Sequence, residues 1–204
     1  MSTCPYSSGP ASYVPFLVPV VWFGVFFSIM YFMNKKNKEA LKNLSSCLKG
    51  SLSKSFFLNA FEGQYEGLPL QISLTPGSKN TPPYLRISLT KESTFKLTIY
   101  KESGLSILGE KLGLVHEVKV NDEAFDKEFL IFSNNANRAM SYLAGSIEKR
   151  NAIRELFNHG FNAVIIDGKR ILIQKPRYNV DYDLQPLQVT SALQKLGILV
   201  KGIF

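Results

Sequence analysis

One stretch of the sequence constrains this chain more than any other: an uncharged apolar run of 21 residues from Tyr13 to Met33. It reads YVPFLVPVVWFGVFFSIMYFM, and a polar, lysine-rich run, Asn34-Lys35-Lys36-Asn37-Lys38, follows it directly. Coiled as an α-helix, about 20 apolar residues match the roughly 30 Å hydrocarbon core of a bilayer. The sequence therefore predicts a transmembrane helix over residues 13–34, with a buried core helix as the alternative.

The positive charge of the chain is concentrated after this run. Residues 35–54 contain six lysines and one acid, Glu39, whereas the 150 residues that follow carry 18 basic and 15 acidic side chains. The positive-inside rule then predicts a single-pass protein of the bacterial inner (plasma) membrane, with its N-terminus outside and its C-terminal domain in the cytoplasm. A basic segment beside a membrane favours anionic headgroups, and the predicted lipid contacts are Lys35, Lys36, Lys38 and Lys42.

The composition of the run excludes several functions. It contains no Asp, Glu, Lys, Arg or His, so it offers no ion path and no histidine that could bind a metal. Gly24 and Ser28 form a small-x-x-x-small pair, which permits close approach of a second helix. The predicted contacts with membrane or a partner helix are Trp22, Phe23, Gly24, Phe27 and Ser28. The small excess of charge after residue 54 argues against a nucleic-acid partner, which requires a basic stripe on the folded domain.

Four segments follow from these boundaries. They are a flexible N-terminal tail (1–12), the transmembrane helix (13–34), a basic juxtamembrane helix or linker (35–54) and a cytoplasmic α+β domain (55–204). Leu41, Leu44 and Leu48 recur at helical spacing, which predicts a helix over 36–50. Three interpretations of that helix stay open: a stalk that continues the anchor, an interfacial helix, or a helix packed on its own domain.

The domain begins with strands and continues with helices. Apolar residues alternate with polar ones over 70–74, 85–89 and 95–99, which predicts an antiparallel meander with one buried face. Asn134-Asn135 and Ser146 are expected to cap two helices. Asp167-Gly168 between apolar runs predicts a hairpin with a type I′ turn, and a last helix is expected over 186–196. The predicted fold class is α+β: a transmembrane helix plus a soluble antiparallel sheet, with helices on one face.

Two short motifs carry a resemblance. Phe61-Glu62-Gly63-Gln64-Tyr65-Glu66-Gly67 is followed by Asp122-x-x-Phe125-Asp126-x-x-Phe129 and then by the helices and the hairpin. Over residues 57–175 this order resembles a set of uncharacterised bacterial membrane-anchored proteins with F-x-G-x-Y-x-G and D-x-x-F-D-x-x-F segments. The resemblance implies a domain of unknown function, and it adds no activity.

Candidate catalytic groups are few. An acidic cluster, Asp122, Glu123, Asp126 and Glu128, has the composition of an acid/base pair, although carboxylates at a turn more often cap or face solvent. His116 and His159 lack neighbours at metal-ligand spacing, so neither a metal nor another cofactor is predicted. The basic residues near the hairpin are predicted to form a solvated edge, with lipid headgroups or an acidic partner as the alternatives: Lys169, Arg170, Lys175 and Arg177.

Three functions remain open from the sequence. The preferred hypothesis is a non-catalytic, membrane-anchored accessory or assembly subunit of a membrane protein complex, with lipid and other membrane-protein subunits as partners. The alternative is a membrane-tethered binding or regulatory module for anionic lipid or a peptide partner. The third is a hydrolytic enzyme that uses the acidic cluster.

Overall fold

The computed structural model describes residues 14–53, 59–101 and 116–203. The predicted N-terminal tail, 1–12, lies outside these residues. Internal contacts divide the chain into two units, residues 1–36 and 37–204. The helices are α1 (Val14–Asn43), α2 (Glu123–Glu128), α3 (Ala136–Ala144), α4 (Ile147–Asn158), α5 (Val180–Asp183) and α6 (Pro186–Val200), with a 3₁₀ turn at Leu44–Ser46. The strands are β1 (Lys49–Leu52), β2 (Asn59–Tyr65), β3 (Leu68–Thr75), β4 (Tyr84–Thr90), β5 (Leu97–Lys101), β6 (His116–Glu117), β7 (Phe129–Ser133), β8 (Ala163–Ile166) and β9 (Arg170–Pro176).

Helix α1 differs from the helix that the sequence predicts. Within the described ranges, no helix combines the length and the apolar character that crossing a membrane requires. This finding contradicts the transmembrane helix predicted over 13–34. The apolar run does not form a helix of its own, because α1 continues without a break through the lysine-rich residues to Asn43. Leu41, near the end of α1, is fully buried in the core of the second unit.

The leucines after residue 40 decide between the three interpretations of the helix predicted over 36–50. Leu41 and Leu44 are fully buried and Leu48 is 8% exposed, and all three belong to the hydrophobic core of the second unit. Their segment is therefore packed on its own domain. Helical structure ends earlier than predicted, since the 3₁₀ turn follows Asn43 and strand β1 already begins at Lys49.

In the described part of the chain, one sheet holds nine strands in the order β1-β2-β3-β4-β9-β8-β5-β7-β6. Every one of these pairings is antiparallel. A single row of seven residues crosses β2 to β7, and each is at most 1% exposed: Phe61, Ile72, Ile87, Ile173, Val164, Ile99 and Ile131. Directly opposed residues share a face, so this row is the centre of the buried face. Residues of α3, α4 and α6 complete the same core.

Strand β5 occupies a different place from the predicted one. The sequence placed it beside β4 in a meander, but β9 and β8 lie between the two strands. The β8–β9 hairpin carries consecutive apolar residues, which suits strands in the middle of a sheet. The chain after β4 crosses the tip of this hairpin, where Lys91 N–H donates to Lys169 O and Ser93 N–H donates to Gly168 O.

Two glycines lie opposite each other at the edge of the sheet. Gly50 of β1 pairs with Gly63 of β2, and the Phe61 ring lies against both. A Cβ on Gly63 would lie 2.4 Å from Lys49 O, so this close approach of the two backbones requires glycine.

The helix caps are confirmed, whereas two details of turns and ends are wrong. Asn135 and Ser146 accept hydrogen bonds from the N–H groups of Arg138 and Lys149 at the starts of α3 and α4. The 167–169 turn is not type I′, since Gly168 has a positive φ and Asp167 does not. Helix α6 continues past Gly197 to Val200, because Gly197 is buried inside the helix.

Candidate functional site

Helix α1 contains the largest set of exposed apolar side chains in the described residues. The apolar segment, defined here as residues 21–33, presents nine large apolar side chains that are 48–71% exposed: Val21, Trp22, Phe23, Val25, Phe27, Ile29, Tyr31, Phe32 and Met33. Trp22 is the most exposed of them, at 71%. A contiguous apolar surface of this kind marks a contact with lipid or with another protein.

Gly24 and Ser28, the predicted helix-contact pair, have different surroundings. A Cβ on Gly24 would meet nothing within 4 Å, so the helix surface is open there. The Ser28 hydroxyl donates to Gly24 O at 2.8 Å, one turn earlier in α1. This bond satisfies the hydroxyl within its own helix. The pair therefore provides an open surface on the helix and no unsatisfied hydrogen-bond donor.

The lysines predicted to contact lipid follow the apolar segment along α1. Lys35, Lys36 and Lys42 are exposed, and Lys38 is half-buried. In the second unit the end of α1 is held by Leu41 and by Asn37, whose side chain hydrogen bonds to Tyr178. Burial raises the pKa of the Tyr178 hydroxyl, and the hydrogen bond from Asn37 opposes that rise.

The acidic cluster of the sequence has structural roles. Asp122 caps α2 by accepting from Phe125 N–H, and Asp126 accepts from Val120 N–H at 2.9 Å. Glu123 pairs with Lys127, and Glu128 lies 3.4 Å from Arg154.

Asp122 also joins two helices. Its Oδ2 lies 2.9 Å from Arg150 Nε, and Arg150 donates to Leu143 O at the end of α3. The hydrogen bond from Phe125 N–H lowers the pKa of Asp122, and the charges of Arg154 and Arg150 lower it further against the opposing effect of burial. Because the carboxylate caps α2 and is paired with Arg150 and Arg154, it suits a structural link between α2 and α4 rather than an acid/base role.

The basic residues near the hairpin do not form one patch. Arg170 pairs with Asp167 at 2.8 Å in the turn, whereas Lys175 Nζ lies 2.7 Å from Asp183, which is 7% exposed. Lys175 also donates to His159 O at 2.6 Å, so it connects β9, α5 and the end of α4. No group of three or more His, Cys, Asp or Glu suited to a metal ion is present among the described residues.

A cleft that contains Arg138 and Lys149 was not predicted from the sequence. The cleft has about 640 Å³ of space, part of which is open solvent. Its described lining residues are Phe95, Arg138, Ser141, Tyr142, Lys149 and Gly202. Its residues come from four separate parts of the sequence and match no motif. Only the packing of α3, α4 and the C-terminal turn brings Arg138 and Lys149 to one cleft.

Comparisons with known proteins provide a similarity of fold and no similarity of sequence family. No protein-family model and no curated protein matches the sequence. Among solved structures, the chain is similar to the crystal structure of the mycobacterial trehalose monomycolate transport factor A, TtfA, with a TM-score of 0.55 and 11% sequence identity. The similarity covers 82% of this chain and 94% of that chain. At this identity the two chains share a fold, and the likeness carries no residue-level correspondence.

Proposed function

We propose that this protein is a non-catalytic accessory factor of a membrane protein complex, attached to the membrane through the apolar segment of α1. The observation that carries the proposal is the exposure of nine large apolar side chains in residues 21–33. Exposing them to water is costly, at about 25 cal/mol for each Å² of apolar surface. Lipid acyl chains, together with apolar helices of larger subunits, are the partners that would remove this surface from water.

The lysines after the apolar segment support the same attachment. Lys35, Lys36 and Lys42 are exposed in the part of α1 that follows the apolar segment. Each lysine near an anionic leaflet contributes about 1 kcal/mol of attraction, which declines with added salt. We propose the cytoplasmic face of a bacterial inner membrane as the location of the protein, because anionic lipid is concentrated in that leaflet.

An accessory role, rather than catalysis, is supported by the polar residues. The four carboxylates that sequence reasoning offered to an enzyme are engaged in caps and ion pairs.

Strand β1 favours the binding module as the second candidate function. It is the edge strand of the sheet, and Lys49, Gly50 and Ser51 are exposed. Ser53 N–H donates to Ala60 O, so by antiparallel alternation the backbone groups of Gly50 and Leu52 point away from β2. An extended peptide could add to this edge as a further strand.

The test uses the full chain and its native membranes. Trp22→Ser combined with Phe23→Ser should move the protein from the membrane fraction to the supernatant and abolish copurification of larger membrane proteins in mild detergent. The matched control is Tyr182→Ser combined with Leu187→Ser, which removes two exposed apolar side chains from the second unit, 53% and 76% exposed. Membrane attachment that survives the first pair, or a protein that is always a free monomer, would refute the accessory role.

A peptide partner would give a different result. Gly24→Leu fills the open surface on α1 and should weaken copurification of membrane subunits while the protein stays attached to lipid. If copurification instead depends on β1 and is unchanged by Gly24→Leu, the binding module is the better description.

A further inference from the structure

We infer that the cavity between strands β4 and β9 and helices α4, α5 and α6 binds a small carboxylic acid with an apolar body. The residues that carry this inference all lie in the second unit, so it does not depend on membrane attachment through α1. The cavity has about 370 Å³ of space, part of which is open solvent. Small-molecule sites span about 300–1,000 Å³, so a ligand at the small end of that class fits.

One wall of the cavity is apolar. Its members are at most 7% exposed and belong to the core of the second unit: Leu85, Ile87, Leu156, Phe161 and Ala192. Ala192 is the wall residue on α6, and a longer side chain there would occupy the space between the helix and the sheet. Such a wall suits a hydrocarbon group, because contact with it removes apolar surface from water.

The ammonium group of Lys175 is fixed at the polar side of the cavity. Its Nζ donates to His159 O at 2.6 Å and to Asp183 Oδ1 at 2.7 Å. A Cβ on Gly160, which has a positive φ, would lie 3.2 Å from Nζ, so the backbone also closes on this side chain. An ammonium group has three donors. These contacts use two of them, and the third is available to an acceptor in the cavity that Lys175 lines.

Helix α6 contributes further donors to the same cavity. Gln188, Ser191 and Lys195 lie three and four residues apart and therefore share one face of the helix. Within the described ranges, the half-buried side chains of Gln188 and Ser191 have no hydrogen-bond partner. Lys195, 24% exposed, pairs with Glu155 of α4. The two neutral side chains are thus free to bind a ligand.

These donors indicate the head of the ligand. The carboxylate of Asp183, which also lines the cavity, already accepts from Lys175 and from Asn179 N–H. The groups still available are donors, and an ionised carboxylate offers two acceptor oxygens to them. Hydrogen bonds to a charged acceptor are stronger than neutral ones. A carboxylate near Lys175 and the polar face of α6, with its hydrocarbon body against the apolar wall, therefore satisfies both halves of the cavity.

Calorimetric titration of the full-length protein in one mild detergent tests the ligand class. The probe is hexanoate, compared with acetate, which lacks the apolar body, and with hexan-1-ol, which lacks the carboxylate. Hexanoate should bind at least tenfold more tightly than either, because each comparison compound loses one half of the contacts. Acetate or hexan-1-ol binding as tightly as hexanoate, or no binding of hexanoate, overturns the inference.

Substitutions on α6 locate the binding. Gln188→Ala and Ser191→Ala should each weaken hexanoate binding by roughly tenfold, as expected for a lost hydrogen bond to a charged group. Ala192→Leu should abolish binding by filling the cavity while it keeps every donor. Gln194→Ala is the matched control, since Gln194 is exposed on the same helix and outside the described lining. It should change nothing.

Partition of hexanoate into detergent would give the same signal in wild type and all variants, and that result also overturns the inference. Circular dichroism checks that each variant is folded. If Ala192→Leu does not fold, Gln188→Ala and Ser191→Ala carry the test.

Discussion

Two parts of helix α1 have similar apolar chemistry and opposite environments. Phe32 in the apolar segment is 67% exposed, whereas Leu41, nine residues later, is fully buried in the core of the second unit. The difference shows that apolar character alone does not determine burial within this chain. Leu41 has the sheet and helices of its own unit as a partner, whereas the side chain of Phe32 stays exposed within the described residues.

The largest expected effect separates these two parts directly. Leu41→Ala should reduce the free energy of unfolding by about 2–5 kcal/mol, because it leaves a cavity in the core. Phe32→Ala should change it by less than about 0.5 kcal/mol, because its side chain is exposed. Urea unfolding followed by far-UV circular dichroism in the same detergent measures both. Equal effects would mean that the two residues share one environment.

Two glycines extend the comparison to the backbone. Gly63→Ala should destabilise the protein by roughly 1–3 kcal/mol, since its Cβ would lie 2.4 Å from Lys49 O and the edge strands must move apart. Gly24→Ala has open space and should favour the helix by roughly 0.5–1 kcal/mol. Thermal unfolding of the two variants tests the pair, and a tolerated Gly63→Ala would show that β1 is loosely held.

A pH-dependent effect, the smallest, sharpens the role assigned to Asp122. Because its pKa is lowered from the usual 3.8 in the folded protein, it contributes stability above that value and loses it as pH falls through the folded pKa. Asp122→Asn keeps a capping oxygen and removes the charge. The variant should therefore be less stable than wild type near pH 7, and this difference in stability should disappear as pH falls below the lowered pKa of Asp122. A difference in stability between the variant and wild type that is constant with pH would rule out the ion pairs as its origin.

Local patterns in the sequence located most of the elements. The alternation at Ile72, Ile87 and Ile99 marks strands whose residues fall in one buried row. Asn135 and Ser146 marked two helix starts, because a cap is a contact between residues three apart. Such signals depend on neighbours along the chain, so the sequence displays them.

Strand order and site assembly required long-range contacts. The residues near β4 and β5 do not indicate that these two strands are separated by a hairpin more than 60 residues later in the chain. The ion pair of Asp122 with Arg150 and the cleft that unites Arg138 with Lys149 are likewise products of helix packing. The predicted end of the last helix at residue 196 is wrong for the same reason, since packing of α6 overrides the weak helix preference of Gly197.

By itself, the sequence determined the positions of strands, caps and the apolar run, because these depend on residues that are close along the chain. Only the tertiary structure decided that α1 continues past the run to Asn43, that Leu41 is buried while Phe32 is not, and that the run is not a separate spanning element. The physical reason is that burial depends on a partner surface, and partner surfaces are assembled by contacts between distant parts of the chain.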